Sequence, residues 1–103
     1  MHHIIKDILK STRQRVMAID NAKKLADKRT FPDRDILSAI DIAKKKGVVP
    51  IIAEVKPASP TAVFRNIPPK EAAEIAEDME RGGAVAISVL TEPEFFHGSI
   101  ENL

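Results

Sequence analysis

An acid and a base two residues apart close an otherwise apolar run, Val48-Val49-Pro50-Ile51-Ile52-Ala53-Glu54-Val55-Lys56, and are the residues best suited to chemistry. If the run is extended, side chains alternate and Glu54 and Lys56 leave from the same face. A carboxylate and an ammonium placed together either form a structural ion pair or aim at a ligand. Residue types alone leave both readings open. A second apolar run ends Ser88-Val89-Leu90-Thr91-Glu92 and continues Pro93-Glu94-Phe95-Phe96-His97-Gly98-Ser99. Two adjacent phenylalanines in a polar loop either anchor that loop or line an apolar pocket, since burying one ring is worth roughly 1.5–3 kcal/mol. His97 reads as an ordinary loop histidine ahead of a catalytic base. Cysteine is absent, which excludes disulfides, thiolate nucleophiles and cysteine-ligated metals.

These residues can meet only if the elements between them bring the two runs side by side. The first run is dense in β-branched residues and lies between Gly47 and Pro57, so it reads as a strand buried on both faces, with Pro50 tolerated near its start. Residues 57–67 read as a loop. Pro68-Pro69 opens a helix through Arg81 whose apolar stripe is Ala72, Ala73, Ile75, Ala76 and Met79, and Gly82-Gly83 ends it. Residues 84–90 read as a second buried strand, and Ser99 as the N-cap of a further helix. Strand–helix–strand with two apolar strands is a parallel βαβ unit, and ligands of parallel α/β sheets gather at the carboxyl ends of the strands. Upstream, Ile4, Ile5, Ile8, Leu9, Thr12, Val16 and Ile19 predict one amphipathic helix over residues 3–27, with a turn at Thr30-Phe31-Pro32-Asp33. A second helix follows from about residue 33 to 46. It buries Ile36, Leu37, Ile40 and Ala43, and Lys44-Lys45-Lys46 sits at its negative end before a left-handed Gly47.

Charge divides the chain. Residues 1–49 hold twelve Lys and Arg against six Asp and Glu, and residues 50–103 hold four against nine. The basic charges are spread along helical faces with Phe31 the only aromatic among them, which reads as a solvated surface and argues against nucleic acid. No run approaches the ~18–20 apolar residues of a membrane span. The start has neither an apolar core nor a small-residue cleavage site, so a cytoplasmic protein without membrane contact is expected.

The fragments Ile51-Ile52-Ala53-Glu54-Val55-Lys56, Ser59-Pro60, Gly82-Gly83-Ala84, Ile87-Ser88-Val89-Leu90-Thr91-Glu92 and Phe96-His97-Gly98-Ser99 stand in one order and spacing. In that order and spacing they resemble the indole-3-glycerol phosphate synthase family. The resemblance implies an α/β fold, the N-terminal part of a (β/α)8 TIM barrel with two extra N-terminal helices, here an incomplete barrel. Residues 1–47 would be the helical extension and residues 48–103 the first βαβ unit, cut at the start of the next helix. It implies a lyase of tryptophan biosynthesis that closes the ring of carboxyphenylamino-deoxyribulose phosphate with loss of carbon dioxide and water, using no cofactor and no metal. Lys56 would supply a cationic contact to the anionic phosphorylated substrate, and Glu54 would orient it or bind substrate. Ser59 would belong to the mobile loop after the first strand, Ser88 would lie near the pocket floor, and Phe96 would pack on the substrate's aromatic ring.

Two departures from the family pattern stand out. Pro57 replaces the usual basic residue after the first-strand lysine, and Thr61-Ala62-Val63 replaces the usual glycine after Ser-Pro. The family's lysine acid, glutamate base and phosphate loops, on later strands, would all lie beyond Leu103, so the chain alone is expected to be inactive. Its expected partners are the missing C-terminal barrel portion or copies of itself. The competing reading is a non-catalytic assembly or interaction fragment that uses its open sheet edges. A further one is another phosphate-binding barrel with coincidental motifs.

Overall fold

In the computed structural model, residues 2–19 and 32–103 are described. The apolar spacing from Ile4 onward winds into helix α1, His2–Met17. On its last turns the Arg15 guanidinium donates to Ser11 Oγ at 2.6 Å and to Thr12 Oγ1 at 3.1 Å. The helix is shorter than its periodicity predicts. Ala18 and Ile19 donate to the carbonyls of Arg15 and Val16, three residues back, which tightens the end into a turn. Residues 20–27 of the expected helix, and the expected turn as far as Phe31, lie outside the described residues. The chain divides into two compact units, Met1–Arg34 and Asp35–Leu103.

The second unit opens on Asp35, whose carboxylate accepts the Ser38 N–H at 3.1 Å and starts helix α2, Ile36–Lys45, a turn later than composition alone suggests. Lys44 and Lys45 occupy the last turn, and Gly47 follows at φ +74°, in the left-handed region that terminates helices. The expected burial of Ile36 and Leu37 is not found: both are exposed, and α2 contains no fully buried residue.

Strand β1, Ile52–Val55, then begins an α/β arrangement. Helix α3, Pro69–Arg81, carries the chain back, and strand β4, Ala86–Val89, lies parallel to β1. The register pairs Ile52 with Ala86, Glu54 with Ser88 and Val55 with Val89. Pro69 at the first helical position sacrifices no hydrogen bond, and Gly83 at φ +104° releases the chain from α3. The core gathers on the α3 side of the pair, where Val55, Ile67 and Ala72 are buried and Ile75, Ala76, Met79, Ile87 and Val89 pack around them.

The strands are not buried on both faces, contrary to what their apolar content predicts. Alternation sends Ala53 and Val55 toward the core and Ile52 and Glu54 the other way. Ile52 is 57% exposed, because the buried cluster is built on the α3 side alone, and Ile51, equally exposed, lies ahead of the first strand residue.

Residues 57–67 contain more structure than a loop. Strands β2, Ala58–Ser59, and β3, Ala62–Val63, form an antiparallel hairpin about Pro60-Thr61. Its base is tied by the Pro57 carbonyl, which accepts from Phe64 at 2.9 Å and Arg65 at 3.1 Å. Arg65 pairs with Glu71 on the first turn of α3. Beyond β4, a 3₁₀ turn at Ile100–Asn102 stands where a further helix was expected, and Ser99 makes no side-chain cap bond. The turn is fastened by the buried Asn102 amide, which donates to the Ile67 carbonyl at 3.0 Å. Among the described residues no helix is long and apolar enough to cross a membrane.

Val55 is 1% exposed and Val63 is 67% exposed, which separates the core from the outer strand of the hairpin. Val55→Ala is expected to lower unfolding free energy in urea by about 1–3 kcal/mol, and Val63→Ala by less than about 0.5 kcal/mol. Equal losses would contradict this placement of the core.

Candidate functional site

Three polar side chains meet on the face of the strand pair opposite α3. Glu54 and Ser88 are register partners on neighbouring parallel strands, so their side chains stand abreast, and Ser88 Oγ donates to Glu54 Oε2 at 2.9 Å. Lys56, one residue past the end of β1, returns to the same face and places Nζ 3.3 Å from Glu54 Oε1. Each carboxylate oxygen of Glu54 thus has its own partner. The ion pair that the spacing allowed is formed, yet the Lys56 and Glu54 side chains are 38% and 39% exposed. A pair so accessible to water contributes about 0–1 kcal/mol. An incoming anion can therefore draw the ammonium away at little cost, while Glu54 and Ser88 still fix the direction from which Lys56 approaches. The arrangement can bind a negative group and hold a carboxylate beside it. Structural pair and ligand contact are compatible roles here.

The other sequence-derived candidates lie on the loops above the strand ends. Ser59 sits in β2 with Oγ 3.4 Å from Thr61 Oγ1, and none of its described hydrogen bonds reaches Glu54 or Lys56. Phe96 is partly buried, and its carbonyl accepts the Ala58 N–H at 3.2 Å, so the loop after β4 is laced to the hairpin after β1. His97 is exposed at φ +53°, a left-handed conformation uncommon for a residue with a Cβ. Among the described residues, no group of three His, Asp or Glu side chains could hold a metal ion.

A family model described as indole-3-glycerol phosphate synthase matches residues 4–103. The chain belongs to the indole-3-glycerol phosphate synthase family. It is 46% identical to the indole-3-glycerol phosphate synthase of Halobacterium salinarum over 74 residues, covering 72% of this chain and 29% of that relative. Identity to the Methanopyrus kandleri protein of the same name is 43% over 96 residues, or 92% of this chain and 35% of the relative. For the Methanocaldococcus jannaschii protein it is 39% over 102 residues, 95% and 35%. The chain spans about a third of the length of these synthase relatives.

Sequence reasoning within the synthase motifs passed over two residues that shape the site. Gly98 is buried, and a Cβ built there would collide with the carbonyl of Leu90 at the end of β4. Glu92 receives three backbone N–H groups, those of Glu94, Phe95 and Phe96. The Glu-Pro step directly after a strand was the available signal for the second, since proline supplies no donor and the carboxylate precedes three that need acceptors. The first had no local signal, because the colliding carbonyl is eight positions away in sequence. Gly98→Ala is expected to cost about 2 kcal/mol or more in urea unfolding, because backbone must move to admit the methyl. An unchanged midpoint would show that the loop does not approach Leu90 so closely.

Proposed function

We propose that this chain supplies the first strand, first crossover and second strand of a (β/α)8 barrel, and with them one sector of the site of an indole-3-glycerol phosphate synthase. Residues 48–103 supply that βαβ unit, and residues 1–47, which include α1 and α2, are the extension that precedes it in sequence. The observation that carries the reading is the Glu54–Lys56–Ser88 cluster at the strand ends, on the face that a closed barrel would turn inward. In the reaction, the ring carbon bearing the carboxylate attacks the ketone carbon of carboxyphenylamino-deoxyribulose phosphate. The new carbon–carbon bond turns the ketone oxygen into a hydroxyl, the carboxylate leaves as carbon dioxide with its bonding electrons returned to the ring, and water is then lost. Lys56 serves as a cationic contact for the substrate's anionic groups, and Glu54 directs it. Ser88 orders Glu54, Phe96 packs against the aromatic ring, and Ser59 contributes from the hairpin. The acid and base that the resemblance assigns to later strands are not among the residues of β1, α3 and β4.

The purified chain is accordingly expected to leave carboxyphenylamino-deoxyribulose phosphate unchanged, as followed by indole absorbance. Mixing it with a polypeptide carrying the later strands should restore turnover, and Lys56→Ala in that assembly should lower kcat/KM by on the order of 10²-fold. Turnover by the chain alone, or a Lys56→Ala assembly as active as the parent, contradicts the assignment.

A second reading, association through the open sheet, is favoured by the exposure of Ile51 and Ile52 at 57%. Each such side chain left in water forgoes up to roughly 1.5–3 kcal/mol of burial. Sedimentation at low micromolar concentration should find the chain associated with copies of itself or with the complementing polypeptide. A sharp, concentration-independent monomer in both mixtures counts against it.

A further inference from the structure

Residues 91–98 leave β4 and reach the 3₁₀ turn at Ile100 without regular structure, so their amides must find partners elsewhere. Pro93 has no N–H to place. The next three amides converge on one side chain: Glu94 N–H donates to Glu92 Oε1 at 2.9 Å, and Phe95 and Phe96 donate to Oε2 at 2.7 and 3.0 Å. The main chain of the same residue closes the loop, its carbonyl accepting the Gly98 N–H at 2.8 Å. One glutamate therefore satisfies four amides across seven residues. On the far side, the Phe96 carbonyl is engaged by the Ala58 N–H at 3.2 Å. The peptide groups on both sides of the Phe96 Cα are thus held, one by Glu92 and one by the hairpin after β1.

We propose that Glu92 is a positioning residue, an internal anion that fixes the loop after β4 so that Phe96 stands at the site. This rests on the reading of Phe96 as the aromatic wall of the synthase pocket. A run of converging backbone N–H groups is a concavity that favours negative charge, and here the chain fills it with its own carboxylate. Only an ionised carboxylate suits it, being acceptor-only with two oxygens. A glutamine would keep one acceptor and turn an NH₂ donor toward backbone donors. Position 92 thereby governs how tightly an aromatic substrate is held without touching the reacting atoms.

The test is Glu92→Gln, read in two ways. Amide hydrogen exchange in the 103-residue chain should accelerate about tenfold or more at Phe95 and Phe96, with Ala72 and the rest of α3 unchanged. In the assembly with the later strands, KM for carboxyphenylamino-deoxyribulose phosphate should rise about tenfold with kcat within about twofold, the pattern of lost binding shared by ground and transition states. Glu92→Asp, which keeps the charge on a shorter arm, should fall between Glu92→Gln and the parent in KM. It carries the same test if Glu92→Gln also unprotects α3. Unchanged exchange at Phe95 and Phe96 overturns the proposal. So does faster exchange with parental KM, which would make Glu92 a pin for the loop alone. A parent assembly that turns over nothing defeats the synthase reading and this inference with it, whereas an active parent matched by Glu92→Gln defeats this inference only.

Discussion

Two parallel strands cannot be joined by a tight turn; the chain must travel back along the sheet before the second strand can begin. In this protein α3 makes that return, and everything at the site depends on where it sets β4 down. The register it produces puts Ser88 opposite Glu54. Because side chains alternate, a slip of one residue would turn Ser88 toward α3 and bring Ile87 or Val89 out beside Glu54. The buried contacts that resist such a slip are those of Val55, Ile87 and Val89 with the apolar stripe of α3. The packing of one face thus holds the polar cluster of the other in place.

That division of labour explains why the polar cluster can stay open to water. Val55, Ile67 and Ala72 supply cohesion on the covered face, so the Glu54–Lys56 pair on the open face need not. An ion pair more than a third exposed on both sides is held too weakly to matter for folding. The loops beyond the strand ends are organised by different means. There, with no regular ladder to absorb backbone donors, Glu92, the Pro57 carbonyl and the Asn102 amide each collect or supply bonds across several residues.

The elements with a strong period were legible from residue types. The change from helical to alternating spacing after Gly47, the Pro68-Pro69 start and the Gly82-Gly83 stop located β1, α3 and β4, and alternation alone put Glu54 and Lys56 on one face. Burial was less legible, since Ile52 is as apolar as any core residue and only the packing reveals that the α3 side alone is covered. The hairpin of β2 and β3 escaped because strands of two residues carry no period. The Ser88–Glu54 bond joins residues 34 apart, so no local pattern could announce it, although the family motifs named both residues.

The register of β1 against β4 decides which side chains meet at the strand ends, and scalar couplings across hydrogen bonds read it out. Val85 N–H donates to the Ile51 carbonyl at 2.9 Å and Leu90 N–H to the Val55 carbonyl at 3.1 Å, one bond at either end of the pair. Couplings are expected from the Val85 and Leu90 amides to those two carbonyl carbons in the 103-residue chain. Couplings displaced by one residue, such as Leu90 to Glu54 or Lys56, would turn Ser88 away from Glu54 and contradict this register.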